Sequence, residues 1–105
     1  MVSRHVELRG PSVLRLFPTA HHALYSVGLP AYEVRDQLLF PTVHNPHDTV
    51  GLPAFEVKGL QIFPTAHNQR YRLGAAVFEI RQDQLYPTVH NNDETYGWPS
   101  FEIRG

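Results

Sequence analysis

The residues from Gln37 to Gly59 read QLLFPTVHNPHDTVGLPAFEVKG, and close copies of this stretch fill most of the 105-residue chain. The copies occupy residues 14–36, 37–59, 60–82 and 83–105, which we call units 1 to 4. An aromatic residue precedes each Pro-Thr step and recurs every 23 residues, at Phe17, Phe40, Phe63 and Tyr86. Self-similarity at a fixed period of this length indicates a repeat protein.

Five positions are identical in all four units: a proline, the threonine after it, a histidine, a glycine and a glutamate. In unit 2 they are Pro41, Thr42, His44, Gly51 and Glu56. A proline cannot donate to a strand ladder, so we expect it to end a strand. The glycine indicates a positive φ or a close backbone approach.

Each unit predicts two short β-strands and one long loop. AFEV (54–57) alternates apolar and polar residues, as a half-buried strand does, and QLLF (37–40) precedes the Pro-Thr step. One to three residues separate the AFEV-type strand from the next QLLF-type strand, which is hairpin spacing. The polar loop HNPHDTVGLP (44–53) joins the two strands within a unit. No stretch has the period of a helix.

The fold class is therefore all-β, with four tandem hairpin-plus-loop repeats in a single domain over 1–105. Residues 1–13 hold a partial copy, Val6–Gly10, which matches the end of unit 4 and could act as a cap. Counting that copy gives five AFEV-type and four QLLF-type strands, so we expect an open hairpin solenoid. A closed, propeller-like ring is the alternative. An open array would leave an uncapped strand edge at its C-terminal end.

Five rows of equivalent apolar residues form the expected core. They are Leu16/Leu39/Ile62/Leu85, Ala20/Val43/Ala66/Val89, Val27/Val50/Leu73/Tyr96, Tyr32/Phe55/Phe78/Phe101 and Val34/Val57/Ile80/Ile103, joined by Leu29, Leu52 and Trp98. Each glutamate of the AFEV-type strands has a basic residue two positions later. The two side chains share the outer face and predict a solvated charged surface.

Composition excludes several classes of function. The formal net charge is −1, which argues against a nucleic-acid partner bound by phosphate neutralisation and against attachment to a membrane surface. There is no cysteine, hence no disulfide framework and no thiolate zinc site. The first residues lack the apolar core of a signal peptide, so a cytoplasmic protein is expected. No nucleotide-binding or hydrolase motif occurs, and we expect neither an enzyme nor a cofactor.

The long loops carry the candidate binding residues, because they vary where the rest of the unit does not. Polar and aromatic loop residues on a rigid frame are typical of a ligand surface, with carbohydrate as the leading ligand class. The predicted ligand-binding residues are His22, Tyr25, Asn45, His47, Asp48, Asn68, Arg70, Tyr71, Asn91, Asn92 and Asp93. The repeated histidines suggest a metal site as a further hypothesis, built from His21, His44, His67 and His90.

The layout of the unit, a hairpin followed by a loop, is similar to that of the choline-binding and glucan-binding repeats of bacterial surface proteins. Those repeats carry Gly-Trp and Trp-Tyr pairs, whereas this chain has one tryptophan, Trp98, and the resemblance assigns no residue. Two functions remain open. One is a non-enzymatic module that binds a carbohydrate or protein partner through its loops. The other is an assembly protein that forms a larger β homo-oligomer through uncapped ends.

Overall fold

The structure, a computed structural model, describes residues 14–22, 25, 27–68 and 70–105. They form eight antiparallel strands in one closed barrel, in which each strand pairs with its neighbours in chain order. The strands are β1 (Leu14–Pro18), β2 (Tyr32–Arg35), β3 (Leu38–Pro41), β4 (Phe55–Lys58), β5 (Gln61–Pro64), β6 (Phe78–Arg81), β7 (Gln84–Pro87) and β8 (Phe101–Arg104). The partial copy at residues 1–13 lies outside the described residues.

Strand β8 closes the ring by pairing with β1, in a register that places Leu16 opposite Ile103 and Pro18 opposite Phe101. The expected open solenoid is therefore wrong, and the closed ring is the arrangement that forms. The expected uncapped edge at β8 is paired as well. The eight strands of units 1 to 4 form the circle. Closure pairs both edges of the sheet, which an open array would leave exposed.

The local signals of the sequence are confirmed in the strands and turns. Each odd-numbered strand ends at the proline of the Pro-Thr step. In the β2–β3 turn, Asp36 and Gln37 have φ values of 52° and 65°, and Gln82 and Asp83 repeat this between β6 and β7. Two consecutive positive φ values are the conformation of the type I′ hairpin turn. Gly51 has a φ of 100°, and nothing would meet a Cβ there, so the backbone conformation alone requires glycine.

The core is built from three stacked rows, one side chain from each unit in a row. The innermost residues are Leu16/Leu39/Ile62/Leu85, Tyr32/Phe55/Phe78/Phe101 and Val34/Val57/Ile80, with Ile103 partly buried. The four aromatic rings form a closed circle: Tyr32–Phe55, Phe55–Phe78, Phe78–Phe101 and Phe101–Tyr32 have centroid distances of 5.4, 5.9, 5.6 and 5.7 Å. All four contacts are edge-to-face, the arrangement that the ring quadrupoles favour.

The other expected core rows are wrong, because they lie at the surface. Exposed side chains include Val27, Leu29, Val43, Val50, Leu52, Leu73, Val89, Tyr96 and Trp98, and Ala20 and Ala66 are exposed as well. An eight-stranded barrel has an interior just wide enough for a few layers of side chains. Three rows fill it, so the apolar residues of the loops remain outside. Small residues next to the aromatic circle, such as Ala31 and Ala54, are buried instead.

The outer face carries the predicted charges. Arg35 lies over the Phe40 ring at 4.0 Å, and Lys58, Arg81 and Arg104 take the same position over Phe63, Tyr86 and Phe17. These cation–π contacts cover aromatic rings that the core has no room for.

The described part of the chain contains no helix that is long and apolar enough to cross a membrane.

Amide exchange tests the closure directly. The Thr19 amide donates to the Ser100 carbonyl at 2.9 Å, as the Thr42 amide donates to Ala31 and the Thr88 amide to Val77 at 3.0 Å. We expect the three amides to exchange at similarly slow rates, since each is held between neighbouring units. Fast exchange of Thr19 beside slow exchange of Thr42 and Thr88, followed by NMR in deuterated water, would show an open ring.

The distinction between core and surface rows predicts unequal effects of truncation. Phe78→Ala removes one member of the aromatic circle and should lower the free energy of unfolding by about 3–5 kcal/mol. Leu73 is 65% exposed, and Leu73→Ala should change it by less than about 0.5 kcal/mol. Urea unfolding of both variants measures the difference. Equal losses would contradict the assignment of Leu73 to the surface.

Candidate functional site

The invariant threonine anchors each long loop to the preceding unit. In unit 2, Thr42 Oγ1 donates to the Pro30 carbonyl at 2.6 Å and accepts from the His44 amide at 3.2 Å. Asn45 follows, and its Nδ2 donates to the Ala31 carbonyl at 3.0 Å. Its Oδ1 accepts two loop amides, at positions 47 and 48. Asn68 and Asn91 repeat this pattern, so side-chain hydrogen bonds hold the loops in addition to backbone ones.

The repeated histidines contribute their backbone amides to this anchoring, and their rings are exposed. His21, His44, His67 and His90 occupy equivalent surface positions around the ring. Within the described residues, no three His, Asp or Glu side chains are grouped closely enough to hold a metal ion. The structure thus gives the predicted histidine row no metal-binding geometry.

Most of the predicted ligand-binding residues lie at the loop end of the barrel. His22, Tyr25, Asn45, Asp48 and Asn91 are buried, Asn68, Arg70 and Tyr71 are partly buried, and His47, Asn92 and Asp93 are exposed. The structure brings several of them together into what we call the loop-end cluster, formed by His22, Tyr25, Asp48, Arg70, Tyr71 and Glu94. One loop position supplies Tyr25 and Tyr71 in units 1 and 3 and Asp48 and Glu94 in units 2 and 4.

A directional chain of hydrogen bonds connects the loop-end cluster to the aromatic circle. Arg70 Nη2 donates to the Tyr25 hydroxyl at 3.3 Å, and that hydroxyl lies 3.2 Å from the hydroxyl of Tyr32. Tyr32 in turn donates to Asp48 Oδ2. Burial raises the pKa of Tyr25 and of Tyr32, so both remain protonated donors. These hydrogen bonds link partly and fully buried side chains, which indicates a structural plug for this end of the barrel, although Asp48 Oδ1 and Arg70 Nε have no hydrogen-bond partner among the described residues.

His22 takes the place that asparagine has in the other units. Its Nδ1 accepts the Tyr25 amide at 3.1 Å, and its ring stacks on Tyr25 at 4.5 Å. Burial, with Arg70 and His47 nearby, lowers the pKa of His22 from 6.5 to about 4. The Nδ1 of a neutral imidazole is an acceptor here, so the 3.4 Å approach of Glu94 Oε2 to this atom is not an ion pair at neutral pH.

Surface clefts recur where neighbouring units meet. The 3/4 cleft, between units 3 and 4, has a volume of about 610 Å³ and is lined by Gln61, Ala75, Glu79, Thr88, His90 and Tyr96, among others. The 1/2 cleft, of about 350 Å³, is lined at equivalent positions by Arg15, Glu33, Thr42, His44 and Val50. The repeat therefore builds the same kind of cleft more than once, with different side chains.

The size of the side chain equivalent to Ala75 distinguishes the junctions. That position holds Leu29 in unit 1, Leu52 in unit 2 and Trp98 in unit 4. Between units 4 and 1, Trp98 stacks on His21 with 4.6 Å between the ring centroids. His21 is the equivalent of His90. The indole of Trp98 covers the imidazole face of His21, whereas Ala75, with one methyl group, leaves the equivalent face of His90 open in the 3/4 cleft.

The 3/4 cleft combines polar groups with an apolar platform. Glu33, Glu56 and Glu102 lie within 4.0 Å of the basic residue two positions later, whereas Glu79 has no ion pair among the described residues. Glu79 lines the cleft beside Gln61, which is its cross-strand partner. Tyr96, 66% exposed, adds an aromatic side chain to the lining. An acceptor, an amide and an aromatic ring in one cleft can bind a polyhydroxylated ring.

Sequence reasoning missed Gln61, Glu79, Thr88 and Tyr96, because it placed the site in the loops and counted the Tyr96 row as core. The available signal was the size of residue 75, the smallest at its repeat position.

No protein-family model, no curated protein and no solved structure matches the chain.

The depressed pKa of His22 predicts a pH dependence of stability. Above pH 6.5 the His22 ring is neutral in the folded and in the unfolded chain, so its burial has no effect on the pH dependence of the free energy of unfolding. As the pH falls from 6.5 towards 4, the ring binds a proton in the unfolded chain and stays neutral in the folded one. Folding should therefore weaken by roughly 2 kcal/mol over this window. His22→Asn, which installs the side chain of the other units, should remove that loss.

Urea unfolding at pH 7 and pH 4 measures the effect, with His67→Asn as the control because its ring is exposed. The control should follow the wild type. If His22→Asn and the wild type lose the same free energy between the two pH values, His22 is not the titrating group.

Proposed function

We propose that the protein is a non-enzymatic binding module that recognises carbohydrate at the clefts between its units, with the 3/4 cleft as the main site. The observation that carries this proposal is the composition of that cleft. Glu79 and Gln61 offer a carboxylate and an amide, and the exposed rings of His90 and Tyr96 lie near them. Sugars present hydroxyl groups for the first pair and C–H faces for the second.

The carboxylate of Glu79 is available because no cation among the described residues lies within ion-pair distance of it. Arg81, the residue two positions later, lies 4.0 Å over the Tyr86 ring and makes no ion pair with Glu79. A carboxylate that faces a cleft accepts charge-assisted hydrogen bonds, about twice as strong as neutral ones. The equivalent Glu102 is held at 2.9 Å by Arg104 and is less available to a ligand.

The rigid frame supports the same proposal. The side chains of the 3/4 cleft come from strands β5 and β6 and from the loops of units 3 and 4, and Thr88 Oγ1 fastens the loop of unit 4 to the Ala76 carbonyl at 2.6 Å. A preformed cleft lowers the entropy lost on binding. Glu79 is also the single carboxylate among the lining residues of this cleft, whereas glycoside hydrolysis uses a pair. Binding without turnover is the function that this arrangement supports best.

Assembly through free strand ends loses its physical basis in the closed ring. The edge of β8 that would recruit another chain is paired with β1. Binding is therefore the function that the closed ring favours, at the clefts between units and not at the loop tips.

Loss of the Glu79 carboxylate should weaken sugar binding. We expect Glu79→Gln to raise the Kd for a bound oligosaccharide at least about tenfold, since a charge-assisted hydrogen bond becomes a neutral one. A glycan array of the full chain identifies the oligosaccharide, and isothermal titration calorimetry gives the Kd. Glu102→Gln is the matched control and should leave it unchanged.

A second variant tests the location independently. Ala75→Trp places in the 3/4 cleft the side chain that covers His21 at the junction of units 4 and 1, and it should abolish binding. Far-UV circular dichroism and urea unfolding confirm that this variant folds. Unchanged affinity in a folded Ala75→Trp variant, or no binding to any glycan, would overturn the proposal.

A further inference from the structure

A second hollow continues the 3/4 cleft towards the loop of unit 3. It has a volume of about 320 Å³, and Ala75 and His90 line both hollows, so they share one wall. Its remaining lining is different in character and includes Arg70, Arg72 and Asn92. The 3/4 cleft therefore has an adjoining second hollow, and the two hollows differ in charge.

The two arginines of the second hollow have unequal freedom. Arg70 is engaged, because its Nη1 lies 3.3 Å from Asp93 Oδ2 and its Nη2 donates to the Tyr25 hydroxyl. Arg72 is exposed, and no carboxylate in the described part of the chain pairs with it. The exposed amide of Asn92 lines the same hollow. The guanidinium of Arg72 and the amide of Asn92 together present several hydrogen-bond donors and no negative charge, which suits an anionic group of a ligand.

Building on the proposed function, we infer that the 3/4 cleft binds an acidic saccharide, with its anionic group at Arg72 and a neutral sugar ring at Glu79. The charges of Glu79 and Arg72 set the orientation of the ligand in the cleft. The unpaired Glu79 carboxylate repels an anion at the first hollow, whereas the Arg72 guanidinium attracts one at the second. The two adjoining hollows have volumes of about 610 and 320 Å³, so a ligand with more than one sugar ring can occupy both at once.

The other junctions lack this charge pattern. In the sequence, the residues equivalent to Arg72 are Ser26, Thr49 and Thr95 in units 1, 2 and 4, and none of them carries a charge. Between units 4 and 1, Trp98 covers His21. The acidic saccharide should therefore bind once per chain, although the repeat recurs four times.

The test compares matched ligands on the full chain. A glycan array with uronate, sulfated and neutral oligosaccharides ranks the ligands. Calorimetry then measures the best acidic oligosaccharide against its neutral counterpart, the methyl ester for a carboxylate or the desulfated sugar for a sulfate. We expect the acidic form to bind about tenfold more tightly, with one site per chain, and the advantage to shrink as salt is raised. Which acidic form ranks higher identifies the anionic group.

Two arginine variants locate the anion. Arg72→Gln should remove the advantage of the acidic form and leave the affinity for the neutral form unchanged. Arg104→Gln, at the ion pair with Glu102, is the control and should keep the advantage. Equal affinities of the acidic and neutral forms, with the loss on Glu79→Gln retained, would overturn this inference and leave the proposed function standing. No binding to any saccharide would overturn both.

Discussion

The pairing of β8 with β1 is the contact on which the rest of the structure depends. The strands have four or five residues each, too few for an isolated hairpin to be stable in water. Closure pairs the last two edges and brings the fourth aromatic ring, Phe101, against the first, Tyr32, at 5.7 Å. Once the circle exists, each unit buries its neighbour's apolar face, and no unit is left at an end.

The narrow interior of this circle explains both the plug and the clefts. Three rows of side chains fill the barrel, so the apolar residues of the loops are left on the outside. At the loop end, the hydroxyl of Tyr32 needs a partner, and the loop-end cluster supplies Asp48 and Tyr25. The same loops are held to the preceding unit by threonine and asparagine. Clefts between units follow from this anchoring, and their contents depend on positions that no strand constrains.

The candidate site shows how a repeat can be specialised without altering its frame. Position by position, the 3/4 cleft differs from its equivalents by the small Ala75, the aromatic Tyr96 and Glu79, which has no ion pair among the described residues. None of these side chains contributes to the aromatic circle or to the loop anchors. A substitution there changes what the surface can bind at little cost in folding free energy, which is how surface positions generally behave.

Local features could be read from the sequence because they depend on neighbouring residues. The period of the Pro-Thr step, the hairpin spacing, the end of each odd strand at a proline and the positive φ of Gly51 are all of this kind. So are the rows of Leu16, Tyr32 and Val34, whose alternation marks the inner face of a strand.

Closure, the surface position of the Val27 row and the opening beside Ala75 were decided by the tertiary structure. They depend on how many units complete a circle and how many side chains fit inside it. The sequence by itself therefore determined the repeating unit and its strands. Only the three-dimensional packing decided that four units close and which of their side chains meet in a cleft, because closure is a property of the sum of the unit rotations and of no single unit.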